Sequence, residues 1–506
     1  MSSNKTIAKN TLFLYFRMIL VMGVGLYTSR VVLNTLGVED FGVYSVVGGI
    51  VVLFSFFKSA MSSATQRYLS FDIGKGDDEK LRKTFNSAFL IHIAIAFFIF
   101  IFTETVGLWY LNNKLNLIPE RLDAANWVYH FSVITALISV IQSPFNALIV
   151  ARERMNVFAL LSILEAILKL GIVYLLIIIA FDKLILYAIL VAVITVLMAI
   201  FYQVYCRKNF KESNFRLYKD KAYYKELISY SGWNLFGNLA SVAKGQGVNL
   251  VLNVFFGTLV NATYGITMTV QGTVGMFVSN FQMAVNPQII KTYSQNQVEQ
   301  TQKLIFQSAK FSFFLMSLVT VPILFNTQYI LELWLKVLPP FTVVFVQLCL
   351  INILIDCISG SLMTGIQATG KIKQYQAVVG GLLFLNLPLS YLILRITEAP
   401  SAVFIVSIII SLISLQFRLY YLQKVTNISV VAFYKNVIFK TVLIALLCSA
   451  SIYFLRKAIP IAVNFNSFVI QSGIVFLITF GGILLIGINK NERKFINSLI
   501  REKLIK

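Results

Sequence analysis

Charge is scarce in this chain. Asp, Glu, Lys and Arg make up 13% of 506 residues, about half the share found in soluble globular proteins. That scarcity, with 58% hydrophobic residues and a mean hydropathy of +0.79, excludes an ordinary soluble domain and points to a polytopic membrane protein. Histidine occurs twice, at His92 and His130, and cysteine four times, at Cys206, Cys349, Cys357 and Cys448. No spacing among them suits a metal centre or a disulfide framework. The chain has no G-x-x-x-x-G-K-[ST] loop, so no built-in ATPase is expected, and no nucleophile elbow. No loop between apolar runs exceeds about 25 residues, which leaves no room for a separate soluble domain. No small-residue cleavage site follows the first apolar run, which is read as a retained helix.

What the chain has is apolar runs. A span needs roughly 20 apolar residues, and the pattern predicts fourteen helices: 11–34, 41–60, 85–110, 127–150, 157–180, 183–205, 228–256, 264–287, 303–325, 341–368, 376–396, 400–422, 434–456 and 466–488. The net charge of +22 would suggest nucleic acid in a soluble protein. Here 28 of the Lys and Arg residues fall in alternate loops and 7 in the others. By the positive-inside rule both termini are expected in the cytoplasm, and no nucleic-acid partner is expected.

Two short motifs return in order about 220 residues apart. VLNTLG at 32–37 is echoed by VLNVFF at 251–256, closed by Gly257, and FNSAF at 85–89 by FQSAKF at 306–311. They divide the chain into a six-helix lobe (1–205), a cytoplasmic linker (206–227), a second six-helix lobe (228–422) and an addition carrying two more helices and a tail (423–506). Six helices return the chain to the same side, so the two repeats would be parallel. The expected fold is all-α, with two six-helix repeats around a central cavity plus two extra helices.

Charges inside the spans single out candidate sites, because each costs about 2.5–3.5 kcal/mol even on lenient insertion scales. Arg17 and Arg30 lie in the first helix, about 20 Å apart along its axis and about 140° around it. Either both reach opposite interfaces, or a bend at Gly23 and Gly25 turns both toward one cavity. In the seventh helix Asn234, Asn238, Ser241, Lys244, Gly245, Asn249 and Asn253 fall within about half the circumference at 100° per residue. Asn and Gly alone would read as helix–helix contacts, but a central lysine reads as the wall of a water-filled cavity. Glu165 and Lys169 stand one turn apart, as a structural ion pair or as one broken and remade in transport. Asp356 is either an ion site or the partner of a cation on another helix, Lys244 being the candidate. Lys58, Lys310, Arg418 and Lys440 lie near the inner face, where snorkelling is the default; Lys58 and Lys310 could instead line an inward-facing cavity.

The stretch VVLNTLGVEDFGVYSVVGGI (31–50), with Leu36, Gly37, Phe41, Gly42, Tyr44 and Ser45 forming a turn between the first two helices, resembles the multidrug/oligosaccharidyl-lipid/polysaccharide exporter superfamily. Fourteen helices make the chain most similar to its polysaccharide-biosynthesis branch, the Wzx-like O-antigen flippases. The resemblance implies a bacterial inner-membrane protein that moves an undecaprenyl-pyrophosphate-linked oligosaccharide from the cytoplasmic to the periplasmic leaflet by alternating access. It implies membrane lipids as surroundings, and a glycan polymerase and chain-length proteins as partners. No cofactor is implied beyond a coupling ion, H+ or Na+, for which Glu165, Lys169 and Asp356 are the candidates. Arg17, Arg30, Lys58 and Lys244 would meet the pyrophosphate, and Asn234, Asn238, Ser241 and Asn249 the glycan. Lipid II and multidrug export stand as alternatives, although cationic drugs would favour an acidic cavity. A membrane glycan polymerase would need acid/base groups on an outer loop, and the longest, 111–126, offers only Glu120, Arg121 and Asp123.

Overall fold

The computed structural model describes residues 3–52, 55–114, 119–256, 258–335, 338–426, 428–458, 464–489 and 492–493; for scattered positions, most of them within 3–57 and 242–262, it describes the backbone alone. The described residues are mostly helical, with no strand among them. Fifteen longer helices follow in order: α1 Ser3–Val52, α2 Ser55–Lys75, α3 Asp78–Phe102, α4 Leu122–Ala151, α5 Met155–Ile178, α6 Lys183–Asn209, α7 Lys221–Val242, α8 Thr258–Ser294, α9 Val298–Phe325, α10 Thr342–Ala368, α11 Lys373–Phe384, α12 Asn386–Thr397, α13 Ala402–Thr426, α14 Phe439–Ala458 and α15 Phe465–Gly482.

Ten spans among the described residues are long and apolar enough to cross a membrane, and they match ten of the fourteen expected. Of the other four expected spans, 11–34 lies within α1, 41–60 covers the end of α1 and the start of α2, 228–256 lies in the stretch 221–256 and 264–287 within α8. The outward faces of the ten are apolar: Phe97, Leu160 and Ile178 are 64%, 64% and 77% exposed. Side chains of that kind tolerate such exposure in lipid, not in water. The chain is a multi-pass membrane protein.

The expected turn at 36–44 is absent, because α1 runs through it as continuous helix. The apolar period explains why. Val32, Leu36, Val43 and Val47 keep helical spacing and are all buried against Leu111, Ala124, Ala125 and Val128. The side chains of Phe41 and Ser45 and the packing at Gly37 and Gly42 lie outside the described residues. The expected basic loop 61–84 is also mostly helix. It narrows to a turn at Gly76, whose φ of +71° suits glycine, and Asp77, whose side chain caps α3 by accepting from Lys80 N at 2.9 Å.

The chain forms two compact units, Met1–Leu239 with Met283–Asn296, and Ala240–Gln282 with Gln297–Lys506. The first is organised around α4, which packs on α1, α2, α3 and α6. Tyr129 of α4 is fully buried and its hydroxyl donates to the Thr103 carbonyl at 2.6 Å, so the ring fills the core without stranding a polar atom. In the second unit α10 packs between α9 and α13, and α14 and α15 lie against α9. Lipid supplies no hydrophobic drive between helices, so close van der Waals fit must hold them. At Gly365 an added methyl would come within 2.7 Å of Ile305 and 2.9 Å of Leu422, which explains the missing side chain there. Lys310 does not snorkel: it is 3% exposed and its Nζ meets Glu492 at 2.7 and 2.8 Å. Lys440 donates to the Gly487 carbonyl at 3.4 Å and to Asn489.

Candidate functional site

Each unit holds a group of charges at membrane depth. In the second unit, α10 brings Asp356 to the stretch after α7, where Lys244 Nζ stands 3.6 Å from Asp356 Oδ2. Lys244 also donates to Ser411 Oγ of α13 at 3.3 Å. Asn352, one turn before Asp356, donates to the same carboxylate oxygen at 3.2 Å. Arg418 of α13 lies within electrostatic reach of Asp356 and donates through Nε to the Tyr375 hydroxyl at 3.3 Å. Lys244, Asn352, Asp356 and Arg418 line a cavity of about 410 Å³, together with Tyr264, Gln271 and Ser359. The volume falls in the range of sites for small ligands. Two cations face one carboxylate, so the cavity carries an excess positive charge.

The first unit repeats that imbalance. Glu165 accepts from Lys169 Nζ at 2.7 Å. Arg17 lies within electrostatic reach of Glu165 and Tyr202, with its guanidinium 4.8 Å over the Phe158 ring. Lys58 feels both Glu165 and Lys169. Three cations thus surround one carboxylate. His92 stands beside Lys58, fully buried, with Nδ1 bound to the Ala88 carbonyl at 2.8 Å.

The expected residues therefore divide. Arg17, Lys58, Glu165 and Lys169 gather in the first unit, and Ser241, Lys244 and Asp356 in the second. Asn234 and Asn238 belong to the first unit; Asn234 is 3% exposed and hydrogen-bonds the Tyr230 hydroxyl. Asn249 is half-buried and is not on the cavity lining, where Val248 stands instead. A π-helical turn at Ala243–Gly247 interrupts the stripe: it inserts an extra residue, so counting at 100° per residue loses phase between Ser241 and Asn249. The side chains of Arg30 and Asn253 lie outside the described residues. Sequence reasoning missed Arg418, Asn352 and Ser411. The Asn352–Asp356 spacing of one turn was a usable signal for the second of these; Ser411 had none.

The family model for polysaccharide biosynthesis protein matches residues 7–259, half of the chain, and the chain belongs to that family. None of the curated proteins matches the sequence. Among solved structures, the fold is shared with a multidrug resistance MATE family transporter of the MOP superfamily in an outward-facing conformation, with a TM-score of 0.73 and 13% identity over 85% of this chain and 99% of that one. A MOP superfamily transporter from Pyrococcus furiosus, described as having a binding pocket of reverse polarity that suggests a different function, gives a TM-score of 0.69 at 13% identity over 85% and 99%. MATE in the bent conformation gives 0.70 at 12% over 84% and 99%. The fold is that of the MATE and MOP transporters.

Proposed function

We propose that the chain is a flippase that carries a lipid-linked oligosaccharide, joined through undecaprenyl pyrophosphate, from the cytoplasmic to the periplasmic leaflet of a bacterial inner membrane. The observation that carries this reading is the cation excess at membrane depth in each unit: Arg17, Lys58 and Lys169 around Glu165, and Lys244 and Arg418 around Asp356. Bare cations are costly in lipid, and a diphosphate supplies the missing negative charge. In a site of low dielectric its attraction to lysine and arginine is stronger than in water. Membership of a polysaccharide biosynthesis family supports a glycan cargo, and the fold of the MOP transporters supports alternating access.

In this reading the halves 1–205 and 228–422 are the moving lobes, 206–227 joins them, and 423–506 is the addition. Both termini are cytoplasmic. Arg30 joins the diphosphate-binding cations, and Asn234, Asn238, Ser241 and Asn249 serve the glycan. Glu165 and Asp356 are the sites for a coupling proton or sodium ion, and a glycan polymerase with chain-length proteins receives the product. A drug exporter is disfavoured because cationic drugs need an acidic cavity; the Pyrococcus furiosus transporter offers a parallel, since the reverse polarity of its binding pocket is described as suggesting a different function. The test is the sidedness of the lipid-linked glycan in a deletion strain. Accumulation in the cytoplasmic leaflet with loss of surface glycan, restored by the wild-type gene and not by Lys244→Met at equal protein level, is the expected result. Accumulation of single repeat units in the periplasm would overturn it in favour of a polymerase.

A further inference from the structure

A larger cavity, of about 730 Å³, lies in the first unit, away from the membrane-depth charges. It is built from the first turns of α3, the ends of α4 and α6, the connecting segment 211–218 and the last turns of α8. Six cations line it: Arg82, Arg152, Arg154, Lys211, Arg216 and Lys291. Two of these are matched within the fold. Arg152 meets Glu212 at 2.6 Å, and Lys291 bonds Glu153. The other four, Arg82, Arg154, Lys211 and Arg216, make no ion pair among the described residues. The remaining acids on the lining, Asp78 and Glu79, are exposed in the first turn of α3, where the helix dipole already favours them. Four cations against two such carboxylates leave about two positive charges facing the cavity.

Two donors on the lining have nothing to donate to. Arg82 Nε and the Tyr218 hydroxyl are shielded from solvent and have no hydrogen-bond partner among the described residues. A buried donor left in this state costs about 1–3 kcal/mol, which an arriving acceptor would recover. The segment is also held in place. Asn86, fully buried, accepts from Arg216 N at 2.9 Å and donates to the carbonyls of Glu212 and Asn214 at 3.3 and 3.4 Å. The Arg216 guanidinium lies 5.6 Å from the Tyr218 ring. The basic segment is thus fixed against α3, with its guanidinium groups gathered before a ligand arrives.

From this geometry we propose that the cavity binds a phosphate-bearing anion through a diphosphate group. Forked guanidinium donors match phosphate oxygens better than lysine or amide groups do, and the excess of about two positive charges suits a dianion. The volume leaves space beyond the diphosphate for a sugar-sized group. The same chemistry is presented by a lipid headgroup at the membrane surface and by a soluble diphosphate. The proposal stands apart from the transport reading, since neither Lys244 nor Asp356 takes part in it.

The test uses the full chain in neutral detergent and radiolabelled inorganic pyrophosphate in equilibrium dialysis. Saturable binding is expected. It should weaken about tenfold or more in Arg82→Gln/Arg216→Gln, since a charge-assisted hydrogen bond contributes about as much as one decade of affinity. Arg154→Gln, at an exposed position that packing does not depend on, should weaken it without moving the thermal midpoint. The same dialysis in phosphatidylcholine nanodiscs doped with diacylglycerol pyrophosphate separates the sources: competition by the doped lipid identifies a headgroup, and undiminished binding identifies a soluble diphosphate. Absence of saturable binding overturns the proposal, as does equal binding by wild type and both variants. In the latter case the pyrophosphate sits elsewhere, and its loss in Lys244→Met would assign it to the transport cavity.

Discussion

Replacing Asp356 by Asn tests whether the second-unit cavity is tuned by an internal carboxylate. The charges stand 3.6 Å apart. Coulomb's law at that distance gives about 4.6 kcal/mol at an effective dielectric of ~20 and about 1.2 kcal/mol in bulk water. The side chains of Lys244 and Asp356 are 18% and 39% exposed, so solvent screens the pair and the lower part of that interval applies, about 1–2 kcal/mol. Arg418 and Lys244 both lie near Asp356, so Asp356→Asn raises the cation excess from about one to about two. An anion that must compete with the carboxylate in the wild type should then bind about 5–30 times more tightly. The assay is binding of a soluble diphosphate-linked glycan analogue to the purified protein, together with a thermal double-mutant cycle of Lys244→Met and Asp356→Asn. A coupling of about 1–2 kcal/mol and tighter anion binding in Asp356→Asn are the expected outcomes. Coupling below about 0.3 kcal/mol with unchanged anion affinity would refute the reasoning.

Other consequences are separable from this one. Asp72, 1% exposed and beyond the apolar spans, has its carboxyl pushed up to about 6 by burial, against the opposing bond from Thr84 and the charges of Lys80 and Arg67. A raised acid stabilises the fold when protonated. Stability should therefore be higher by about 3 kcal/mol below pH ~4 than above pH ~6, and Asp72→Asn should flatten the dependence of the melting temperature between those limits. Arg121 binds Asp182 at 2.6 Å and also Asp40. Burial alone would raise the Asp182 carboxyl, but Arg121 and the amides of Ile185 and Leu184 outweigh it and hold it below the usual carboxylate range. Arg121→Gln should destabilise by about 1–3 kcal/mol in thermal melts, and the wild type should lose this contribution as pH falls through the depressed value. Gly74→Ala would place a methyl 2.9 Å from the Lys291 backbone and 1.8 Å from Ser294 Oγ, and overpacking of this kind should cost about 1–3 kcal/mol in chemical denaturation. An unchanged midpoint would show that this approach yields freely.

The long apolar spans were legible because a run of that length has few other fates, and the need to partner Asp356 was legible because an isolated carboxylate is costly in lipid. Arg418 was not. A cation two turns from a helix end reads as snorkelling, and only the tertiary fold shows its Nε turned to Tyr375. The turn at 36–44 was misjudged because it was taken from the resemblance carried by Leu36, Gly37, Phe41, Gly42, Tyr44 and Ser45 and not from the spacing of Val32, Leu36, Val43 and Val47, which the packing follows. The FNSAF motif served as a sign of repetition. Its Asn86 has a local reason, the three backbone hydrogen bonds that fix segment 212–216.

The extra residue in Ala243–Gly247 bears on how this family should be compared and how it can change. Relatives with an uninterrupted α-helix here would align with a one-residue gap inside a span, where gaps are usually forbidden, and an ungapped alignment would pair cavity residues of one protein with packing residues of the other. A single-codon deletion in this stretch would turn every side chain on one side of it by about 100° without replacing any of them. Cargo preference could then shift through an insertion or deletion that substitution-based surveys of the gene would not score.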